Sequence, residues 1–568
     1  MKKIKKLSAT LTALLLVGGT FGSMAACGPR TDDDIDKNKT QIYVANYNGG
    51  VGEKWLDEAA LRFEEKFKDW KNGKKTGVQV KIRHDKSYDG ITLPNSIQGD
   101  KYEIYFTQQV DYATYVSSGY VYDLTDLVTE MVNADDNKTI LSKFSEDQVS
   151  ALAVNGKYYA IPHYELYSGI SYDAGVFKLK NLYFADTMDT DGTRKFVSNP
   201  STKKSCGPNG VYEDGEGDDG LPSSIQEFNK LIDKMTTSSV TPFVWTGKST
   251  HYTNQLIAAI SANLEGGAGA RANFTFDTAG EKVDIITGFN GDEPVIAQQA
   301  IDQDTGYLVK SQAGLYYGLS VAEKVFSSQK NYYVPGTSTT FSHLNAQETF
   351  VFSGLDGKQH IGMLIDGNYW YNEADDANIF KDLKDWYPET YTQKDLRFMP
   401  LPRQYKGTVT EGNGKSPVLV DSYNSYAIVN AGIDKDQYPL IKEFLSFLYS
   451  DAELLQFTKT TNGIVKGVNY DFSAAYNEVD SFAQSVLDLR TEAKAANAFV
   501  KSESAHPVYR NNVSKFTLNS NAEYWESMVG GTTRYVNLWS AVQKHVSAKA
   551  YFEGMGISEA TWNSTFNK

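Results

Sequence analysis

From Thr40 onward the chain alternates between short apolar strand signals and amphipathic helix signals, and that alternation leaves few folds open to it. Ile42-Tyr43-Val44-Ala45 is an apolar run ending in Asn46-Tyr47-Asn48-Gly49-Gly50, a strand followed by a turn. Trp55, Ala59, Phe63 and Phe67 then recur every four residues, the stripe of a helix that buries one face. Val78, Val80 and Ile82 alternate with polar residues, Ile104-Tyr105-Phe106 is a third apolar run, and Tyr115 to Val128 reads as helical. Strand–helix–strand order of this kind predicts an α/β protein built on mainly parallel sheets. Further along, Ser224 and Glu227 stand in the Ser-x-x-Glu relation of a capping box, ahead of a stripe through Ile225, Phe228, Leu231, Ile232 and Met235. Leu440, Ile441, Phe444, Leu445 and Leu448 form another stripe, and the Trp-rich stretch from Tyr524 to Phe566 reads as helical. No internal repeat is present.

With 568 residues the chain is long enough for two large lobes. Its 56 basic against 70 acidic side chains give a net charge of −14, and without the first 26 residues, which hold four lysines and no acid, the balance is 52 against 70, or −18. Such a surface has no basic footprint for phosphate backbones, so nucleic acid is not an expected partner. Two cysteines exclude a disulfide framework and a cysteine-built zinc site. Aromatic residues make up 13%, with 37 Tyr and 8 Trp, which suits neutral polyhydroxy ligands that need flat apolar faces and hydrogen bonds together.

Lys2, Lys3, Lys5 and Lys6 followed by the short apolar stretch Leu7 to Gly22 read as a signal peptide over residues 1–26. It ends in Met24-Ala25-Ala26-Cys27, which resembles the bacterial lipoprotein lipobox. Cys27 is then the expected lipid attachment site and mature N-terminus, and residues 27–39 a polar tether; an ordinary cleavable signal with an incidental cysteine is the plain alternative. The expected location is the outer face of a bacterial cell membrane, Gram-positive rather than periplasmic. Cys206 reads as an inert thiol.

Most catalytic motifs fail. Gly247-Lys248-Ser249 ends like a P-loop, but Pro242 stands where the upstream glycine is needed. The seven histidines form no H-E-x-x-H frame, and there is no G-x-S-x-G elbow. Two-carboxylate catalysis leaves no short motif, so a glycoside hydrolase stays open as a second reading. No cofactor is required. The acidic insert from Asp186 to Gly220 holds eight carboxylates in 35 residues. Asp189, Asp191, Asp218 and Asp219 could ligate a structural calcium, although Thr187 and Ser198 replace the first and last ligands of an EF-hand; the alternative is a solvated loop.

Several separated segments resemble, in order, the extracellular solute-binding proteins of bacterial ABC importers, the maltose-binding-like family specialised for sugars. Tyr43 to Leu56 resembles the family's opening strand, turn and helix, and Tyr102 to Val128 its "D/E-I-x-F" strand and "Y-x-x-x-G-Y-x-x-D-L-T-D-L" helix. Gly156 to Phe177 is similar to "G-K-x-Y-G-I-P…Y-N-K-x-L-F", and Leu221 to Met235 to "L-P-x-T-W-x-E-F" with Ile225 in place of Trp. Gly362 to Ala374 resembles "A-M-x-x-x-G-x-W-x-x-N", and Asn424 to Gly467 the closing block, with Val465-Lys466 where Ile-Pro is usual.

The resemblance implies a two-lobed fold whose hinge closes on ligand. One lobe would comprise residues 40–163 with about 424–475, and the other 164–423 with about 476–568, the chain crossing near His163, near Tyr423 and past Asp471. It implies a monomer that captures an oligosaccharide and delivers it to membrane permease subunits without covalent chemistry; a peptide- or polyamine-binding lipoprotein is a third reading. Asn48 in the glycine-rich turn, Glu165 after Ile161-Pro162, and Tyr369 and Trp370 at the "G-x-W" position are the ligand contacts that follow from the family, Glu165 being equally a hinge salt-bridge partner. Gln108 and Tyr112 follow a strand at its C-terminal end, the usual crevice of an open α/β sheet. Trp245, His251 and Tyr252 follow the predicted strand Pro242 to Val244. Trp55, Trp386 and Trp562 read as core.

Overall fold

The computed structural model describes residues 35–197, 220–249, 251–408, 416–421, 423–493 and 547–565, with short pieces at 527–528 and 535–536. Nine strands form its two main sheets: β1 (Thr40–Asn46), β2 (Val78–His84), β3 (Ile104–Thr107), β4 (Ala160–Pro162), β5 (Ser168–Asp173), β6 (Val240–Val244), β7 (His360–Gly367), β8 (Leu396–Phe398) and β9 (Tyr426–Val429). The first sheet has the order β2-β1-β3-β9-β4 and the second the order β6-β7-β5-β8. β1 runs parallel to β2 and β3, and β6 parallel to β7; β9 is antiparallel to β3 and β4, and β5 antiparallel to β7 and β8. The sheets are therefore mixed rather than mainly parallel. β5 and β9, which each follow a passage between the sheets, are the strands that run against both their neighbours.

Helices cover both sheets. In α1 (Lys54–Lys66) the stripe read from the sequence buries Trp55, Ala59 and Phe63, and the Phe63 ring meets Phe444 edge-on at 4.9 Å. The second lobe carries α2 (Ile225–Thr237), α3 (His251–Thr275, broken at Gly266), α4 (Ala313–Phe326), α5 (His343–Val351) and α6 (Trp370–Asp376). Next come α7 (Tyr438–Leu448) and α8 (Asp451–Thr460), which pack on the first lobe, and α9 (Ser481–Glu492), which packs on the second. The helix read over Tyr115 to Val128 is instead two short ones, Tyr112–Ser117 and Thr125–Thr129. Gly119 at φ +66° turns the chain between them, and Val121 pairs with Asn430 as an extended bridge. In the Tyr524 to Phe566 stretch, Ser527–Met528 and Tyr535–Val536 pair as a small ribbon, while Ala548–Met555 and Glu559–Thr565 are helical; Trp525 and Trp539 lie outside the described residues. Trp55 and Trp562 are buried as read, but Trp386 is 56% exposed. No helix among the described residues is long and apolar enough to cross a membrane.

The expected capping box forms by half. Ser224 Oγ accepts from the Glu227 N–H, but the Glu227 carboxylate is drawn to Arg194 instead of folding back on the cap. Arg194 grips it with Nε–Oε1 at 2.9 Å and Nη2–Oε2 at 2.6 Å, and Ser223 donates through both N–H and Oγ at 2.9 Å. Both charges are buried, so removing one strands the other in a low-dielectric interior. Glu227→Ala should cost about 3–5 kcal/mol in urea unfolding, and a loss below about 1 kcal/mol would mean that water reaches Arg194.

Candidate functional site

Three passages between the lobes lie side by side and are hydrogen-bonded to one another. The first, His163–Tyr167, joins β4 to β5; the second leads through Tyr423–Ser425 into β9; the third follows α8 around Ile464–Gly467. His163 N–H donates to Ser425 O at 2.9 Å, Glu165 N–H to Val465 O at 3.1 Å, and Gly467 N–H to His163 O at 3.2 Å. Glu165 sits in this bundle, 1% exposed, and its carboxylate is fully engaged. Arg490 of α9 donates from Nε at 2.8 Å and Nη2 at 3.4 Å, and the Tyr167 hydroxyl donates as well. Of its two readings, the structure assigns Glu165 the hinge ion pair. Gln108 stands beside the same passage, its Oε1 accepting from the Tyr164 hydroxyl at 2.8 Å.

In front of these passages the lobes meet across a cluster of tyrosines and carboxylates. From the second lobe, Tyr369 exchanges a hydroxyl–hydroxyl bond of 2.7 Å with Tyr423 and a second bond with Tyr252. All three are nearly buried, and they pack with the apolar cluster of the first lobe. The first lobe brings the Asn46–Gly50 turn against them. A Cβ on Gly50 would lie 2.8 Å from Tyr369 Cβ and 3.2 Å from Glu373 Cγ, so the close approach of the lobes requires glycine there. In the same turn, Asn48 Nδ2 donates to Glu53.

Behind the tyrosines lie Asp366, near the end of β7, and Glu373, in the first turn of α6. Gln347 of α5 spans them, its Nε2 donating to Asp366 Oδ2 at 3.3 Å and to Glu373 Oε2 at 3.0 Å. Burial raises the Asp366 carboxyl well above the ordinary carboxylate range, the Glu373 charge adding to it. Burial likewise pushes Glu373 up to about 7, against the opposing pull of Gln347 and Lys86. Neither acid has a basic ion-pair partner among the described residues, in contrast to Glu165. Tyr47 of the first lobe is raised by burial and by the charges of Asp89 and Glu373, which places it at the same cluster.

No family model matches the sequence, and none of the curated proteins matches it significantly. Solved structures do match. A chitin oligosaccharide binding protein superposes with a TM-score of 0.52 at 14% identity, covering 92% of this chain and 99% of that one. The apo form of RafE from Streptococcus pneumoniae superposes with a TM-score of 0.50 at 13% identity, covering 94% of this chain and 99% of that one. The fold is that of the two-lobed solute-binding proteins.

Within this two-lobed binding fold the sequence-derived contacts divide. Tyr252 and Tyr369 line the meeting of the lobes, with Asn48 in the facing turn and Gln108 at its base. Tyr112 belongs to the first core: its hydroxyl donates to Leu152 O at 2.8 Å and accepts from Tyr159 N–H at 3.2 Å, which leaves it no ligand role. Trp370, expected as a stacking platform, is fully buried among Phe350, Phe380 and Phe482, and its Nε1 donates to Ser171 Oγ at 2.7 Å. A platform needs an accessible face, and Trp370 has none. Trp245 is likewise core, packed on Phe326 and Tyr332. His251 opens α3. Asp189 and Asp191 face Lys230, whose Nζ lies 2.8 Å and 3.7 Å from them; Asp218 and Asp219, the other two residues of the calcium expectation, lie outside the described residues. Among the described residues no group of three or more acids, histidines or cysteines could hold a metal.

Sequence reading missed Asp366, Glu373, Gln347 and Tyr423. Asp366 was visible only as part of a loop-forming Asp-Gly-Asn run, and nothing local brings Gln347 to it. The pair has a consequence for stability. Between the ordinary carboxylate range and about pH 7, folded Glu373 keeps a proton that the unfolded chain has already released, so stability falls as pH rises through that window. Each unit of upward shift corresponds to about 1.4 kcal/mol. Glu373→Gln should therefore reduce the loss of unfolding free energy between pH 5 and pH 8; an unchanged loss would mean that Glu373 is solvated.

Proposed function

We propose that this protein captures an oligosaccharide between its two lobes by closure at the hinge and delivers it to the permease subunits of an ABC importer. What carries the reading is the cluster at which the lobes meet: aromatic rings and buried hydrogen-bond acceptors from both sides, positioned in front of three adjacent chain passages. Sugars have apolar C–H faces ringed by hydroxyls, so tyrosine rings with carboxylates behind them match both halves of their chemistry. The names of the fold neighbours, one a chitin oligosaccharide binding protein, point the same way. The N-terminal sequence, a signal-like stretch ending in the lipobox-like Met24-Ala25-Ala26-Cys27, supports a monomer held on the outer face of the cell membrane by a lipidated Cys27.

Binding without catalysis is favoured by the disposition of the acids. One Gln347 amide nitrogen reaches both Asp366 and Glu373, so the two carboxyls stand together on one lobe. A glycosidase needs its pair to flank the scissile bond. Isothermal titration calorimetry of residues 28–568 against plant, starch and chitin-type oligosaccharides, each recovered afterwards, tests the reading. Saturable binding of one glycan class with intact sugar is expected, and Tyr369→Ala should weaken it by about ten-fold or more. Cleaved product, or no binding by any glycan, would overturn it.

A further inference from the structure

The carboxylates behind the tyrosines lack a counter-charge. Asp366 is buried and Glu373 beside it is half-buried, with no ion pair to either among the described residues. Asp366 Oδ1 accepts the Gly367 N–H at 2.8 Å, and among the described residues the only side-chain donor to either acid is Gln347 Nε2. Gln347 turns its Nε2 end toward both acids. Its other end, Oε1, is buried with no hydrogen-bond partner, and Gln347 as a whole is 0% exposed. Two carboxylates and an amide oxygen thus present acceptors at one place, with one amide nitrogen as donor.

The surroundings add negative charge and rings. Asp376 raises Glu373 further, and Tyr252, Tyr369 and Tyr423 each feel the charge of both Asp366 and Glu373. The basic groups that act here come from the rim. Lys86, exposed beyond the end of β2 in the first lobe, pulls on Glu373 across the gap between lobes, and with Lys248 it lowers His343 at the start of α5. An acid pair walled by tyrosines is the environment that stabilises an ammonium group, through charge-assisted hydrogen bonds and cation–π attraction.

We infer that this end of the cleft is an ammonium subsite, with Asp366 and Glu373 accepting the N–H groups of a primary amine and the adjoining tyrosines enclosing it. The inference rests on the oligosaccharide reading and narrows it: the captured glycan carries a free amino sugar. A polyamine is the other source of the same group.

The test is calorimetry on the intact protein at neutral pH, where Glu373 ionises, with four probes: glucosamine oligomers, N-acetylglucosamine oligomers of equal length, glucose oligomers of equal length, and spermidine. Glucosamine oligomers should bind at least about ten-fold tighter than either neutral counterpart. Asp366→Asn and Glu373→Gln, each checked for cooperative thermal unfolding, should weaken the glucosamine oligomers more than the neutral ones and so reduce that preference to less than about three-fold. Equal binding of amine and neutral oligomers, or a preference that survives both substitutions, would overturn the ammonium subsite and leave the oligosaccharide reading in place. Spermidine binding more tightly than every oligosaccharide would support the subsite and overturn the glycan reading. Binding by none of the four would overturn both.

Discussion

The pairing of β9 between β3 and β4 is the constraint on which the rest of the molecule depends. β4 has no other partner in its sheet, so the first lobe is completed only when the chain has built the second and returned. That return lays the second passage beside the first, and the third follows from α8 into the helix that supplies Arg490. The three passages then share backbone hydrogen bonds, which sets a narrow junction and leaves the rest of the interface between lobes to side chains. A junction of adjacent, extended segments is the kind of element about which lobes rotate.

One charged residue is buried inside this junction without a carboxylate. Lys466 Nζ lies 2.7 Å from His163 Nδ1 and 4.3–4.4 Å from the centroids of Phe457 and Trp55. Burial depresses the lysine well below its ordinary range, and burial and the nearby lysine depress His163 in turn. Both shifts disfavour two cations side by side at this point of the junction. The same position carries proline in the closing block the sequence resembles, so an apolar ring gives way here to an amine among rings. Glu165 and Arg490 solve the related problem on the other side of the passage by direct pairing. The acids of the cleft are left without either solution, and that difference marks them as the part of the interface built to receive something.

Much of the fold was legible because its signals are local. The stripe of α1, the Ser224 cap and the stripe of α7 each lie within a few residues, and burial of one face follows from periodicity alone. The Tyr115 to Val128 region failed where Gly119 and the bridge from Val121 to Asn430 overrode helical spacing, a long-range pairing that local pattern does not contain. Trp370 and Trp245 failed for a related reason: motif position says which turn a tryptophan occupies, but not which way its ring rotates. At the "G-x-W" turn it is Tyr369 that faces the other lobe, while Trp370 turns into the core and satisfies its N–H on Ser171.

The sequence by itself determined the class of the fold: alternating strands and helices, an acidic chain, and a ring-rich composition without a catalytic motif. These are properties of composition and short spacing, and they survive any arrangement of the chain in space. Only the tertiary structure decided which groups meet. Gln347, the Asp366–Glu373 stretch and Tyr423 come from three separate segments, and their packing together, which shifts the acids, is a sum of desolvation and charge that no single stretch of sequence supplies.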